Sequence, residues 1–273
     1  MSRKARVLGV QFTPEIGNKE ANLKKAENFI EKNSWFKPDL IVLPEVFNTG
    51  CGHGRIEHLA EEIPGGETFE FFSNLASKYK SNIVAGSFTE RCPDKKFRNT
   101  SIVFDRAGNM IGKYQKIHMF SYYGCDEGKY MASGDSISVV ETDIGKIGLS
   151  ICYDLRFPEL FRSLTYAGAE IIVCPAAWSY PRIEHWQTLT KARAIENQVY
   201  FIAVNQIGKT NTDRINFGYS TVINPWGDVI ACAGGSEGVM MAEIDLDAAK
   251  KLREEFCVLN DRNLAAYENL CKT

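Results

Sequence analysis

The feature that most limits what this chain can fold into is a series of short apolar runs, each too brief for a helix, separated by amphipathic stretches. Residues 7–12, 40–43 and 171–174 have the length and content of buried strands. Between the first two, Asn18 suits the cap of a helix whose stripe is Leu23, Ala26 and Ile30, so the chain opens as a β-α-β unit. Residues 68–80 read as a second helix with Phe71, Phe72, Leu75 and Ala76 on one side, followed by a strand over 82–88. The turn signal Ala107-Gly108-Asn109 joins 100–105 to 110–114 as a hairpin, and 139–142 with 147–152 predicts another around Gly145. Pro158 fits the first turn of a helix with stripe Leu160, Leu164 and Ala167 that stops at Gly168. Pro181 opens a longer helix expected to turn Ile183, Trp186, Leu189 and Ala192 inward. Strands over 200–204, 220–223, 229–232 and 240–244 complete an α/β pattern of two sheets with helices outside. No repeat or linker interrupts it, so residues 1–273 are expected to form a single domain.

Composition narrows the function classes. A formal net charge of -2 offers no bulk field for nucleic acid or an anionic membrane. The basic stretch 1–6 precedes an apolar run too short for a signal peptide, and 171–178 is too short to span a bilayer. The eight cysteines (Cys51, Cys92, Cys125, Cys152, Cys174, Cys232, Cys257 and Cys271) include no C-x-x-C pair. They read as free thiols of a cytoplasmic protein. The histidines His53, His58, His118 and His185 have no zinc-site spacing with them, so no metal is expected.

Three apolar strands run into a reactive side chain. Leu40-Ile41-Val42-Leu43-Pro44 ends at Glu45, Tyr114-Gln115 leads to Lys116, and Ile147-Gly148-Leu149-Ser150-Ile151 ends at Cys152. Ligands of open α/β sheets gather beyond the carboxyl ends of strands, which makes the three plausible neighbours. A strand-to-helix passage after Cys152 predicts that the helix dipole and a nearby lysine favour its thiolate. Taken singly, each residue also has a structural reading: a small buried hydrophobe, a solvated strand-end carboxylate, a surface lysine.

In combination they resemble the nitrilase, or carbon-nitrogen hydrolase, superfamily. The matching pieces are Leu43-Pro44-Glu45, then Tyr114-Gln115-Lys116-Ile117-His118, then Ser150-Ile151-Cys152-Tyr153-Asp154-Leu155-Arg156-Phe157-Pro158-Glu159. Pro175-Ala176-Ala177-Trp178, Ala192-Arg193-Ala194-Ile195-Glu196-Asn197 and 218–227 extend the likeness across residues 7–244. The resemblance implies a four-layer αββα sandwich and a triad that needs no cofactor. In that triad Glu45 is general base and acid, Lys116 stabilises an oxyanion and Cys152 is the nucleophile. Glu127 stands where many members carry a second active-site glutamate, although the loop 121–126 is slightly longer than usual for the family. Arg156 and Glu159 are expected to pair across a helical turn, and His118 to support the lysine segment.

The stretch 178–197 looks most like the ω-amidase branch, whose members hydrolyse the terminal amide of 2-oxo dicarboxylic acid monoamides. Tyr153, Trp178 and Arg182 are the expected substrate-binding residues, with Arg182 on a substrate carboxylate. The same triad also serves N-carbamoyl amidases and nitrilases, and a non-catalytic interaction protein on this scaffold is the reading from a different class. The resemblance further suggests a homodimer sealed by the segments after Cys152 and Pro175, with Phe157, Leu160, Phe161 and Trp178 supplying apolar area.

Overall fold

The computed structural model describes residues 3–50, 56–122, 124–209 and 214–266. Cys51, His53, Tyr123 and Cys271 lie outside the described residues. Among the described residues, two large sheets form the middle of the molecule. In the first, the central parallel strands Lys4–Gln11, Leu40–Val42 and Asn82–Val84 are flanked by antiparallel Gly238–Asp245 on one side. Phe97–Phe104, Phe88–Arg91 and Met110–Gln115 extend the other side. The second sheet runs Val229–Cys232, Thr221–Ile223, Tyr200–Asn205, Ile171–Ala176, Gly145–Leu149 and Val139–Thr142.

Alternation along the strands explains the layering. In the first sheet, Val7, Leu40, Val42, Val84 and Val103 pack in one core with Ile147, Leu149 and Ile171 of the second sheet. Their neighbours Leu8, Ile41, Ile83, Ile102 and Phe104 turn to the opposite face. There they meet Leu23, Ala26 and Ile30 of helix Lys19–Lys32 and Phe72, Leu75 and Ala76 of helix Glu67–Tyr79. A side-chain period of two thus places successive residues of one strand in two different cores. Helices Pro158–Tyr166 and Ile183–Asn197 cover the second sheet, completing the expected αββα order. Asn18 caps the first helix, its side chain accepting from the Ala21 N–H at 3.2 Å. No described helix is long and apolar enough to cross a membrane.

Three expectations are corrected. The strand expected over 82–88 is two strands, Asn82–Val84 and Phe88–Arg91, because Gly86 sits at φ 53° with its backbone against the Pro44 carbonyl. A Cβ there would lie 2.0 Å from that oxygen, so only glycine allows the close approach that braces the Pro44-Glu45 turn. Of the expected stripe on the long helix, Trp186 is buried and Ile183 and Leu189 are half-buried against the core, but Thr190, Arg193, Ala194 and Asn197 are buried as well. Arg193 turns inward because its guanidinium donates to the Leu155 carbonyl at 3.1 and 2.9 Å, which hydrophobic periodicity cannot anticipate. Finally, Leu160, Phe161 and Trp178 are buried within the subunit and cannot supply a dimer seam.

Candidate active site

Glu45, Lys116 and Cys152 each lie beyond the end of a strand. Glu45 follows Leu40–Val42 by three residues, Lys116 immediately follows Met110–Gln115, and Cys152 follows Gly145–Leu149. With Glu127 they meet on the floor of one cleft enclosing about 980 Å³, its open mouth included. Lys116 Nζ donates to Glu45 Oε1 at 2.9 Å and to Glu127 Oε2 at 2.7 Å. All three side chains are buried.

The surroundings fix each group. Asn99 Nδ2 donates to Glu45 Oε1 at 2.8 Å and to Glu127 Oε1 at 3.2 Å, while the Asn99 carbonyl accepts the Lys116 N–H at 2.9 Å. The Ala177 N–H reaches Glu45 Oε2 at 2.9 Å, and Gln206 Nε2 holds the Glu45 main-chain carbonyl at 2.6 Å. Glu127 Oε2 also accepts the Phe120 N–H at 2.9 Å. Two residues here occupy the left-handed region, Val46 at φ 44° and Cys152 at φ 48°. For a β-branched valine and a cysteine this is strained backbone, which surrounding contacts must over-determine. The Val46 N–H is tied to Ser87 Oγ at 3.2 Å and its carbonyl to the Gly50 N–H at 2.8 Å.

Asp154 links the lysine segment to the cysteine turn. Fully buried, its Oδ2 accepts the Tyr114 hydroxyl at 2.7 Å and the Ile151 N–H at 2.8 Å. Its Oδ1 accepts the His118 N–H at 3.1 Å and lies 2.7 Å from His118 Nδ1. The His118 ring stacks on Phe157 with centroids 3.7 Å apart. His118 therefore supports the lysine segment, as expected, through a carboxylate two residues beyond Cys152.

Charge sets the protonation states. Burial opposes the Lys116 charge, but Glu127 and then Glu45 outweigh it and hold the ammonium well above the ordinary lysine range. Burial likewise opposes the Glu127 charge, yet Lys116 and the hydrogen bonds from Phe120 and Asn99 keep its carboxyl below the usual range. The Cys152 thiol is pushed well up, first by burial and then by the Glu45 carboxylate, with Lys116 offsetting only part. The expectation of a dipole-stabilised thiolate is thus corrected. The lysine is shared between two carboxylates, and Cys152 opens only a short 3-10 turn, Cys152–Arg156, before the α-helix begins at Pro158. Burial and the Glu45 carboxylate thus favour the neutral thiol at Cys152.

Tyr153, Trp178 and Arg182 line the cleft walls, together with Arg156 and Arg214. Arg156 does not pair with Glu159: its guanidinium lies 4.9 Å from the Trp178 ring centre and 3.3 Å from His185 Nδ1. Arg182 is half-buried, its Nη2 donating to Ser179 Oγ at 2.7 Å and its plane lying over Phe120 and Tyr122. Burial holds it below the ordinary guanidinium range, with Arg156 and Arg214 pushing the same way. Asn99 and Asp154 were not singled out in the sequence. Asp154 had a signal in its place beside Cys152, whereas Asn99, inside strand Phe97–Phe104, had none.

Comparison with known proteins places this arrangement. The carbon-nitrogen hydrolase family profile matches residues 6–254. The chain is 39% identical over 252 residues to the 2-oxoglutaramate amidase of Bacillus subtilis (strain 168), covering 92% of this chain and 95% of that protein. It is 32% identical over 282 residues to omega-amidase NIT3 of Saccharomyces cerevisiae, covering 99% and 97%. The crystal structure of Saccharomyces cerevisiae Nit3, described as a member of branch 10 of the nitrilase superfamily, superimposes with a TM-score of 0.85 over 93% of this chain and 94% of that one.

The Asp154 junction generates a stability prediction. Both of its oxygens face donors, so Asp154→Asn turns an amide NH₂ against at least one of them while keeping shape. Urea denaturation should show a loss of about 2–4 kcal/mol, the scale for disrupting a buried charged hydrogen-bond group. A loss below about 0.5 kcal/mol would mean the junction does not hold the two segments together.

Proposed function

The chain belongs to the carbon-nitrogen hydrolase family, and on that premise we propose that it is an ω-amidase that releases ammonia from 2-oxo dicarboxylic acid monoamides. The observation that carries this reading is the buried Glu45–Lys116–Glu127 cluster facing the Cys152 thiol beneath a cleft walled by arginines. The names of the similar proteins, 2-oxoglutaramate amidase and omega-amidase, support the substrate class.

In this reading Glu45 takes the thiol proton as sulfur attacks the amide carbonyl. The C–S bond forms and the carbonyl π pair moves onto oxygen. Lys116 and the Tyr153 N–H stabilise that oxyanion, the latter because the first N–H groups of a helical turn lack intrahelical partners. Collapse breaks the C–N bond while Glu45 returns its proton to departing ammonia, leaving a thioester on Cys152. Glu45 then deprotonates water, which hydrolyses the thioester, and Glu127 holds the Lys116 ammonium in place throughout. Trp178 and Tyr153 bound the acyl chain, and Arg182, among the described residues without a carboxylate partner, receives the substrate carboxylate. The described cysteines are free thiols, which fits a cytoplasmic enzyme dependent on a reduced Cys152.

The reading includes a homodimer, which exposed rather than buried apolar side chains of the same helices support. Tyr166 and Ile195, with Trp226 on the turn whose Gly227 packs against Ile195, are 52%, 50% and 65% exposed. Light scattering at micromolar concentration should give twice the chain mass, and a monomer would end this part of the reading.

The activity is tested by ammonia release from a panel of amides. 2-Oxoglutaramate and 2-oxosuccinamate should be cleaved at least about 10²-fold faster than propionamide, because a cation left unpaired beneath a neutral substrate is costly. Arg182→Ala should erase most of that preference while sparing acylation of Cys152 by a reactive ester. Equal rates on charged and neutral amides in the unaltered enzyme would reject the ω-amidase assignment.

A further inference from the structure

Asn99 is part of neither the strand-end pattern nor the nucleophile turn, yet it touches every charged member of the cluster. It lies on Phe97–Phe104, the strand paired antiparallel with the one that delivers Lys116. Its carbonyl holds the Lys116 N–H, fixing the start of that side chain. Its amide nitrogen is shared between two carboxylates, Glu45 Oε1 at 2.8 Å and Glu127 Oε1 at 3.2 Å. Only a donor is acceptable between two anions, so the orientation of this amide is dictated by its neighbours. The side chain is 1% exposed, so water does not compete for these bonds.

The pattern of donors separates the two oxygens of Glu45. Oε1 takes both Asn99 Nδ2 and Lys116 Nζ, whereas Oε2 takes, among the described residues, the Ala177 N–H alone. An oxygen already accepting two charge-stabilising bonds is a poor proton acceptor, so the proton from sulfur is directed to Oε2. Asn99 does for Oε1 what a second cation would do, without adding a charge to compete with Lys116. At Glu127 the same NH₂ favours the ionised form, which keeps that carboxylate bound to the ammonium.

We infer that Asn99 is a positioning residue that commits Glu45 Oε2 to proton transfer and holds both carboxylates in place around Lys116. This rests on the Glu45–Cys152 assignment made above. The groups facing the two carboxylates are Lys116 and the Cys152 thiol, with Arg156 and Arg182 farther out on the cleft wall.

A readout that needs no amide substrate separates this inference from the choice of substrate. The rate of Cys152 alkylation by iodoacetamide, followed on its peptide by mass spectrometry, is measured against pH for the wild type, Asn99→Leu and Asn99→Asp. Removing a donor to a carboxylate raises its pKa. The carboxylate then holds a proton at higher pH, and the acid limb of the alkylation profile moves upward. Asn99→Leu should shift it by roughly one pH unit, and Asn99→Asp, of the same size but placing a third acid in the cluster, by more. On an amide substrate, kcat should fall with little change in KM. Thermal unfolding of each variant identifies the folded ones, and the aspartate variant stands in if the leucine variant does not fold. An acid limb unmoved in a folded variant would overturn the inference, since lost stability alone would make Asn99 merely structural. A shifted limb in an enzyme that releases ammonia from no amide would uphold Asn99 and overturn the activity assigned above.

Discussion

A lysine ammonium held out of water between two carboxylates is the interaction on which the site depends. In isolation, burying any of these charges costs several kcal/mol. Here each charge is a partner of the next, and Asn99, Ala177 and Phe120 fill the remaining acceptor positions with N–H donors. The local balance is one cation against two anions, so adding a thiolate would raise the excess negative charge. With its burial, this favours a protonated sulfur until an electrophile arrives, so that a base beside it matters more than a lowered thiol pKa. The negative charge that develops during attack moves from Glu45 toward the substrate oxygen, where Lys116 meets it.

The sandwich supplies what such a cluster requires: several strand ends converging and water kept out from beneath. The first sheet brings Glu45 and Lys116 from two strands, and the second brings Cys152 and Ala177 from two more. Asp154 spans the sheets, joining Tyr114 of the first to Ile151 of the second through one carboxylate. Backbone strain is concentrated here, at Val46 and Cys152. Strain of order 1–3 kcal/mol at a single residue persists only where neighbours over-determine the conformation. Gln206, Ser87 and the Gly86–Pro44 contact do so on the glutamate side.

How much of this was legible in the sequence follows from which forces are local. Strand alternation and the Asn18 cap depend on neighbouring residues, and they are readable with end errors of up to three residues. The division of 82–88 into two strands was not, because it arises from Gly86 meeting Pro44, residues far apart in the chain. The inward Arg193 defeated periodicity for a similar reason, its partner being a main-chain carbonyl 38 residues away. At the site, three side chains announced themselves through motif order, and the structure brings them together with Glu127. Asn99 carried no signal, since its importance lies in two acceptors, 54 and 28 residues distant, that only the folded chain brings to it. The protonation of Cys152 is not legible in the sequence because it depends on the burial of the thiol and on Glu45, 107 residues away, both of which come only with the fold.

The central claim is that this buried cluster activates Cys152 for covalent catalysis. Rapid acid quench of the enzyme with 2-oxoglutaramate, followed by mass spectrometry of its peptides, tests it directly. The account predicts a thioester of the deaminated acyl group on the Cys152 peptide alone, formed faster than steady-state turnover and absent from Glu45→Gln. Turnover with no adduct on that peptide at any quench time, or ammonia release at full rate by Cys152→Ala, would contradict it.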